Sequence, residues 1–405
     1  MAGRSEVVII GGGIMGVSLA FGLTQLGVKD IVVLERRSLA AGGSGRSGAL
    51  LRQHYSNVPE ATLSSLSLQI YTHWAEVVGG DCGFSRTGLI ATVATDGENS
   101  ANIERMYRNV EMQNSVGITS RVITAAELKG LQPFANVDDL DVAAYEPDSG
   151  FVDSVAATRS MAEAAIRAGA RVVEGCEVTG IVTSGGKVSG VETSQGRFDA
   201  NVVVCAAGPW SLPLLDPLDV HVPMESQRVQ VAILARPLSM PVEGTFTYVD
   251  TAAGIFCRNF GQNRTLVGVG GGEFHDTVDP FMYEERADAG FADIVIEYLS
   301  RRMPPMRNAA YLQGYSGLYD MTPDTHPVIG LAPGVEGLYL ALGFSGAGFK
   351  KGPAVGRCLA ETIVHGVSST LDLTPFRLER FDDENWRQPW SENEYRFSTN
   401  FGHGF

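Results

Sequence analysis

Cysteine is scarce and poorly spaced for covalent or metal chemistry. The five thiols, Cys82, Cys176, Cys205, Cys257 and Cys358, include no CxxC pair. An odd, dispersed set implies reduced thiols in a cytoplasmic protein rather than a disulfide framework. The seven histidines show no HxxxH or mixed His/Cys ligand spacing, so no metal site is expected. Positive charge is short as well: 31 Lys and Arg stand against 46 Asp and Glu, a formal net charge of −15. That balance excludes a protein that tracks nucleic-acid phosphates, while a local basic pocket for a small anion stays open. No apolar run reaches about 18 residues, the length of a membrane span. MAGRSEVVII holds no apolar stretch separate from the motif that follows, so neither a span nor a signal peptide is expected.

Glycine is abundant, with 48 residues in clusters, which suits backbone that approaches a ligand. A chain of 405 residues is too long for one compact core and suits two interleaved domains. VVII at 7–10 reads as a buried strand, followed by a glycine turn, the helical pattern VSLAFGLTQLG and the strand DIVVLE ending at Glu35. This order opens a doubly wound sheet. Residues 59–81 and 101–131 read as amphipathic helices around the strand-like GLIATVAT, and 154–170 as a helix leading into the strand RVVEG. Glycine-rich hairpins and the buried strand VVVCAAG follow. The pieces VQVAILA, GTFTYVD, GIFCRN and TLVGVGG suit an antiparallel sheet, with a helix in ADAGFADIVIEYLSRRM. GLYLALG and the helix near Gly348 return the chain to the first fold.

Gly11-Gly12-Gly13-Ile14-Met15-Gly16 satisfies GxGxxG. Gly11 allows the tight turn, Gly13 lets the helix N-terminus approach a pyrophosphate, and Gly16 permits close helix–strand packing. Glu35 stands where a carboxylate accepts from an adenosine ribose hydroxyl, which disfavours NADP and leaves NAD and FAD. Two further features favour FAD. GGSGRSGA (42–49) can wrap a second phosphate or a flavin, and GLYLALGFSGAGFKKGPAVGRCLAETI places a strand, a glycine loop and a helix N-terminus in sequence. A helix N-terminus suits the negative charge that a flavin gathers on reduction.

These motifs, together with GSGRSGALLRQHYS, SGFVDSVAATRSMAEAAIRAGARV, VVVCAAGPWS, GLYDMTPDTHPVIG and GFSGAGFK, resemble the D-amino-acid oxidase superfamily of flavoenzymes. Within it they are most similar to the branch of monomeric sarcosine oxidase, the sarcosine oxidase beta subunit and glycine oxidase. The resemblance covers nearly all of 5–370. It implies an α/β fold: a discontinuous Rossmann-type FAD-binding domain (1–85, 145–220, 314–375) and a substrate domain with a mainly antiparallel sheet (86–144, 221–313). It further implies oxidation of a C–N bond beside a carboxylate. The tail from Phe376, rich in Arg, Glu, Trp and Asn, reads by composition as an irregular surface extension (376–405). Expected cofactor contacts are Gly11, Gly13, Ile14, Met15, Gly16, Glu35, Arg36, Ser44, Gly45, Arg46, Ser47, Gly48, Val178, Ala207, Gly208, Trp210, Gly317, Gly343, Gly346, Gly348, Phe349 and Lys350.

In the monomeric sarcosine oxidases two basic side chains hold the substrate carboxylate, and their positions fall on Arg52 and Lys350; the pair would combine a bidentate fork with a point charge. Two departures stand out. The cysteine that tethers FAD in those enzymes falls on Gly317, so FAD is expected to be non-covalent. The lysine that promotes their reaction with oxygen falls among glycines near Gly268, with Arg264 and His275 the nearest basic residues. Further candidates are Arg258, for a second carboxylate as in iminodiacetate or equally for an ordinary ion pair, and Tyr248 and Phe256, as aromatic walls or, more in keeping with their type, core packing; Trp210 reads as packing beside the cofactor. His54 would orient or deprotonate the amine, or be merely hydrogen-bonded; His326 is expected near the flavin edge. Three functions stay open: a secondary-amine acid oxidase or dehydrogenase, an enzyme for a primary or cyclic amino acid, and an accessory flavoprotein subunit. The partner expected is a small amino-acid-like substrate, with no nucleic acid or membrane; the chain is read as a monomer or homo-oligomer, with a hetero-complex also open.

Overall fold

A computed structural model describes residues 3–95, 100–240, 245–270 and 276–384. His275 and residues 385–405 of the expected extension lie outside the described residues. Strand β1 (Gly3–Ile10) leads through the glycine turn into helix α1 (Ile14–Gln25) and strand β2 (Ile31–Leu34). The run VVII is apolar throughout because β1 is covered on both faces: Val7 and Ile9 join one core, Val8 and Ile10 the other. β1 lies parallel between β2 and Gly196–Cys205. The sheet order is Val328–Leu331, Leu338–Leu342, Gly196–Cys205, β1, β2 and Arg171–Val173, with Val178–Ser184 and Lys187–Thr193 attached beside Gly196–Cys205. Helix Gly352–His365 crosses α1 closely, since a Cβ on Gly22 would stand 2.8 Å from the Gly356 carbonyl oxygen.

The second sheet runs Asp276–Thr277, Glu225–Ala235, Arg264–Val269, Ile255–Asn259, Thr247–Asp250, Leu89–Thr92, Val142–Glu146 and Arg121–Thr124, with Ala310–Met321 along the far side of Glu225–Ala235. Among the described residues its pairs are antiparallel except Leu89–Thr92 with Thr247–Asp250. This sheet reaches further along the chain than 86–144 and 221–313, because Val142–Glu146 and Ala310–Met321 pair within it.

Two local expectations are corrected. The pattern over 101–131 is broken into helix Ala101–Ser115, strand Arg121–Thr124 and helix Ala125–Leu131. Gly117, at φ +85°, ends the first helix, and Thr124 with Glu127 forms a capping box that starts the second. The start of the C-terminal extension is packed rather than loose. Phe376 is buried, and Arg380 donates to both carboxylate oxygens of Asp324 at 2.8 and 3.1 Å. No helix among the described residues is long and apolar enough to cross a membrane.

Candidate active site

The carboxyl ends of β1, β2, Gly196–Cys205 and Leu338–Leu342 face the second sheet across a cavity of about 680 Å³. A glycine cradle forms one wall. A Cβ on Gly11 would stand 2.5 Å from the Ala206 carbonyl oxygen, and one on Gly13 would stand 3.0 Å from Ser44 Oγ. Ser44 Oγ accepts from Ile14 N–H at 2.9 Å, so the second glycine-rich loop caps α1 where a phosphate would dock. Glu35 faces the same space and accepts from the N–H groups of Gly12 and Arg37, at 2.8 and 2.9 Å. These bonds lock the carboxylate at the end of β2, where a ribose hydroxyl would reach it. The volume, the cradle and the locked carboxylate fit a flavin dinucleotide.

Most of the expected cofactor residues converge here. Gly11, Gly13, Ile14, Met15, Glu35, Arg36, Ser44, Arg46, Ser47, Gly48, Val178, Ala207, Gly208, Trp210, Gly317, Gly346, Gly348, Phe349 and Lys350 all line the cavity, as does Arg52. Gly16, Gly45 and Gly343 do not reach it. Gly16 and Gly45 are close-packing positions, where a Cβ would run into the carbonyls of Gly11 and Ala40. Gly343 acts indirectly, donating its N–H at 2.8 Å to Asp320, a cavity-lining carboxyl that burial pushes up to about 6. Trp210 is more than packing: its Nε1 donates to the Pro280 carbonyl at 2.8 Å, and the Arg36 guanidinium lies 4.4 Å from its ring.

Arg52 and Lys350 reach the cavity from separate parts of the chain, the first just past the short strand Leu50–Leu51 and the second in the turn Phe349–Lys351. Burial, with Arg52 and Lys351 adding to it, brings the Lys350 ammonium down to about 8 against the opposing pull of Tyr55. Lys351 points the other way, into a buried ion pair with Glu60, whose other oxygen lies 2.9 Å from His326 Nδ1. His326 is thus a support beneath the site and does not line the cavity.

Three expected catalytic residues stand outside the cavity. Along Ile255–Asn259 the side chains alternate, and Phe256 and Arg258 share a face. Phe256 lines the cavity, but Arg258 spends its guanidinium on the carbonyls of Gly48 and Asn259 and on the Phe151 ring 4.5 Å away. It braces the glycine-rich loop and does not line the cavity. Tyr248 pairs in register with Cys257, and both point into the core under helix Phe291–Arg302; the neighbouring pair Val249 and Phe256 points at the cavity. The one-residue offset decides which side of the sheet each occupies. His54 is sealed in, 3.1 Å from Gln113, and burial together with Arg52 pushes its imidazole down to about 3. It is held in the neutral form and does not line the cavity.

Residue-level reasoning missed Tyr55, Lys351, Glu60, Tyr319 and Asp320. The doubled lysine in FKKG and the tyrosine closing LLRQHY were available signals, but nothing local ties them together.

The family described as FAD dependent oxidoreductase (DAO) matches residues 6–362. The chain is 30% identical to the mitochondrial pyruvate dehydrogenase phosphatase regulatory subunit of Mus musculus, over 92% of this chain and 43% of that protein. It is 29% identical to the mitochondrial sarcosine dehydrogenase of Mus musculus, over 98% of this chain and 44% of that protein. The chain therefore spans less than half the length of these two relatives. Among solved structures, L-proline dehydrogenase from P. horikoshii superposes with a TM-score of 0.85 at 27% identity, over 94% of this chain and 99% of that one.

Proposed function

The chain belongs to the FAD-dependent oxidoreductase (DAO) family, and from that premise we propose that it oxidises the C–N bond of a secondary amino acid held by its carboxylate between Arg52 and Lys350. An N-substituted glycine such as sarcosine is the first choice of substrate. The observation that carries this reading is that both cations border the same cavity as the glycine cradle. FAD, when bound, supplies the two-electron acceptor for the hydrogen on the carbon beside the amine.

This chain's residues hold and orient. Arg52 offers two parallel N–H groups to a carboxylate and Lys350 a point charge, which together fix the substrate's rotation. Two cations beside the amine lower its pKa and favour the neutral form, whose lone pair is needed as the carbon is oxidised. Leu50, Val249 and Phe256 give the same cavity an apolar wall. That wall suits an alkyl substituent better than a second carboxylate, since Arg258 is engaged elsewhere. The wall also supports a second reading, a cyclic imino acid of the proline kind, in keeping with the likeness to the L-proline dehydrogenase from P. horikoshii. Gly268, opposite Phe256, carries no cation, which favours an acceptor other than oxygen.

Anaerobic bleaching of the flavin by sarcosine, iminodiacetate, glycine, D-alanine and the two prolines tests this. Sarcosine or proline should bleach it, with kcat/KM reduced about a hundredfold or more in Arg52→Ala. Slow recolouring in air would mark a dehydrogenase. Failure of every carboxylated amine would overturn the proposal in favour of an accessory subunit.

A further inference from the structure

Tyr55 is a phenol sealed among cations. Its side chain is fully buried, with the Arg52 guanidinium 4.4 Å and the Lys351 ammonium 4.1 Å from the ring centroid. Lys350, on the same turn as Lys351, also acts on its hydroxyl. The other groups around it come from three elements. Helix Val58–Thr72 brings Glu60, which is already committed to Lys351 and His326. Helix Ala101–Ser115 brings Gln113, an uncharged amide that donates to the Tyr55 carbonyl at 2.9 Å. Strand Val142–Glu146 brings Glu146 into the field of Arg52, and burial raises that carboxyl to about 7. His54, the adjoining residue, is neutral.

A carboxylate site must be cationic when its ligand is present, yet buried excess positive charge is costly when the ligand is absent. We propose that Tyr55 is the exchangeable counter-charge of the Arg52–Lys350 site: a phenolate while the site is empty, and a phenol once a carboxylate is bound. The proposal rests on the carboxylate-site reading above. In this step one O–H bond forms at the phenolate oxygen, and one bond to hydrogen breaks in the proton's donor. A simple carboxylate draws that proton from solvent. An amino acid arriving as a zwitterion offers its own ammonium as a second source, and giving up that proton leaves the amine in the neutral form that oxidation requires.

The electrostatics agree in sign. Burial opposes ionisation of Tyr55, but Lys350, Lys351 and Arg52 outweigh it and bring the phenol down to about 7. A bound carboxylate offsets those cations, burial then prevails, and the proton returns. Tyr55 is thus a positioning residue: it sets the charge state of the clamp without touching the reacting carbon.

The test uses the FAD-loaded protein and cyclopentanecarboxylate, a carboxylate without an amine. Near pH 8, binding read from the flavin spectrum should take up about one proton per site and remove one tyrosinate from the ultraviolet absorbance. Affinity should fall about tenfold for each pH unit above about 7. In Tyr55→Phe the probe should still perturb the flavin, while the tyrosinate change disappears and any remaining proton uptake belongs to Lys350. Binding by the wild type without proton uptake would overturn the role of Tyr55 and leave the carboxylate site standing. Uptake with an unchanged tyrosinate band would move the proton to Lys350, and also overturns it. A probe that does not bind at all would remove the carboxylate site and the Tyr55 role together. The wild-type measurements decide the matter even if the variant fails to fold.

Discussion

Gly268→Ala is the substitution that most directly probes the cavity wall. Gly268 faces Phe256 directly across the antiparallel pair of Arg264–Val269 and Ile255–Asn259, and the aromatic ring lies over it. A methyl group there would stand within 3.0 Å of Cε1, Cε2 and Cζ of the ring. Carbon atoms settle at about 3.5–4.0 Å, so the ring must swing away. Gly48 hems it in on another side, since a Cβ there would already meet Phe256 at 3.3 Å and Leu266 at 3.5 Å. The open direction is the cavity. Overpacking of this kind costs roughly 1–3 kcal/mol, and a ring displaced into the substrate space hits the larger substrate first. The expected result is a lower melting temperature and a proline-to-sarcosine ratio of kcat/KM reduced by about fivefold to a hundredfold. Adding Phe256→Leu should recover much of both, with a coupling of about 0.5–3 kcal/mol in the double-mutant cycle. A Gly268→Ala protein with unchanged stability and unchanged substrate preference, or a strictly additive double variant, would refute the placement of Phe256 as the wall.

Two further outcomes follow from buried groups. Burial lifts the Glu146 carboxyl from 4.5 to about 7, against the pull of Ser149 and Gln53. The folded state therefore keeps a proton that the unfolded chain releases, so this contribution to stability is full below about pH 4.5 and is lost as pH rises through about 7, by roughly 3 kcal/mol in all. Glu146→Gln should gain in melting temperature over the wild type between about pH 5 and pH 8, and a flat or falling difference would count against it. At Gly317 a Cβ would stand 3.2 Å from that of Arg46, whose guanidinium is pinned to the Ser316 carbonyl at 2.8 Å and to Glu285 at 2.7 Å. Acid precipitation should leave all the flavin in the supernatant, from the wild type and from Gly317→Cys alike. A yellow pellet from the wild type would show an anchor elsewhere.

The cofactor cradle was legible because it is local. Gly11 acts through its positive-φ turn, and Gly13, Ser44 and Glu35 through partners within a few dozen residues, so the spacing of residue types carries most of the information. The order of apolar strands and glycine turns likewise determined a doubly wound sheet joined to an antiparallel one. Even there, the pattern over 101–131 concealed a strand, because a helical periodicity continued past the Gly117 turn.

The rest is a matter of direction and field, which spacing does not encode. Arg258 and Phe256 sit on the same face of one strand, yet only the ring reaches the cavity, because the guanidinium finds the Gly48 carbonyl first. Tyr248 and Val249 are adjacent, and strand pairing sends one into the core and the other to the site. Tyr55 is an ordinary phenol in the sequence. Its charge state is decided by a guanidinium three residues away and by two ammonium groups nearly three hundred residues further on. The sequence by itself determined which backbone would hold a dinucleotide. Only the tertiary structure decided which side chains share a dielectric environment, because Coulombic terms and burial depend on distances that folding alone sets.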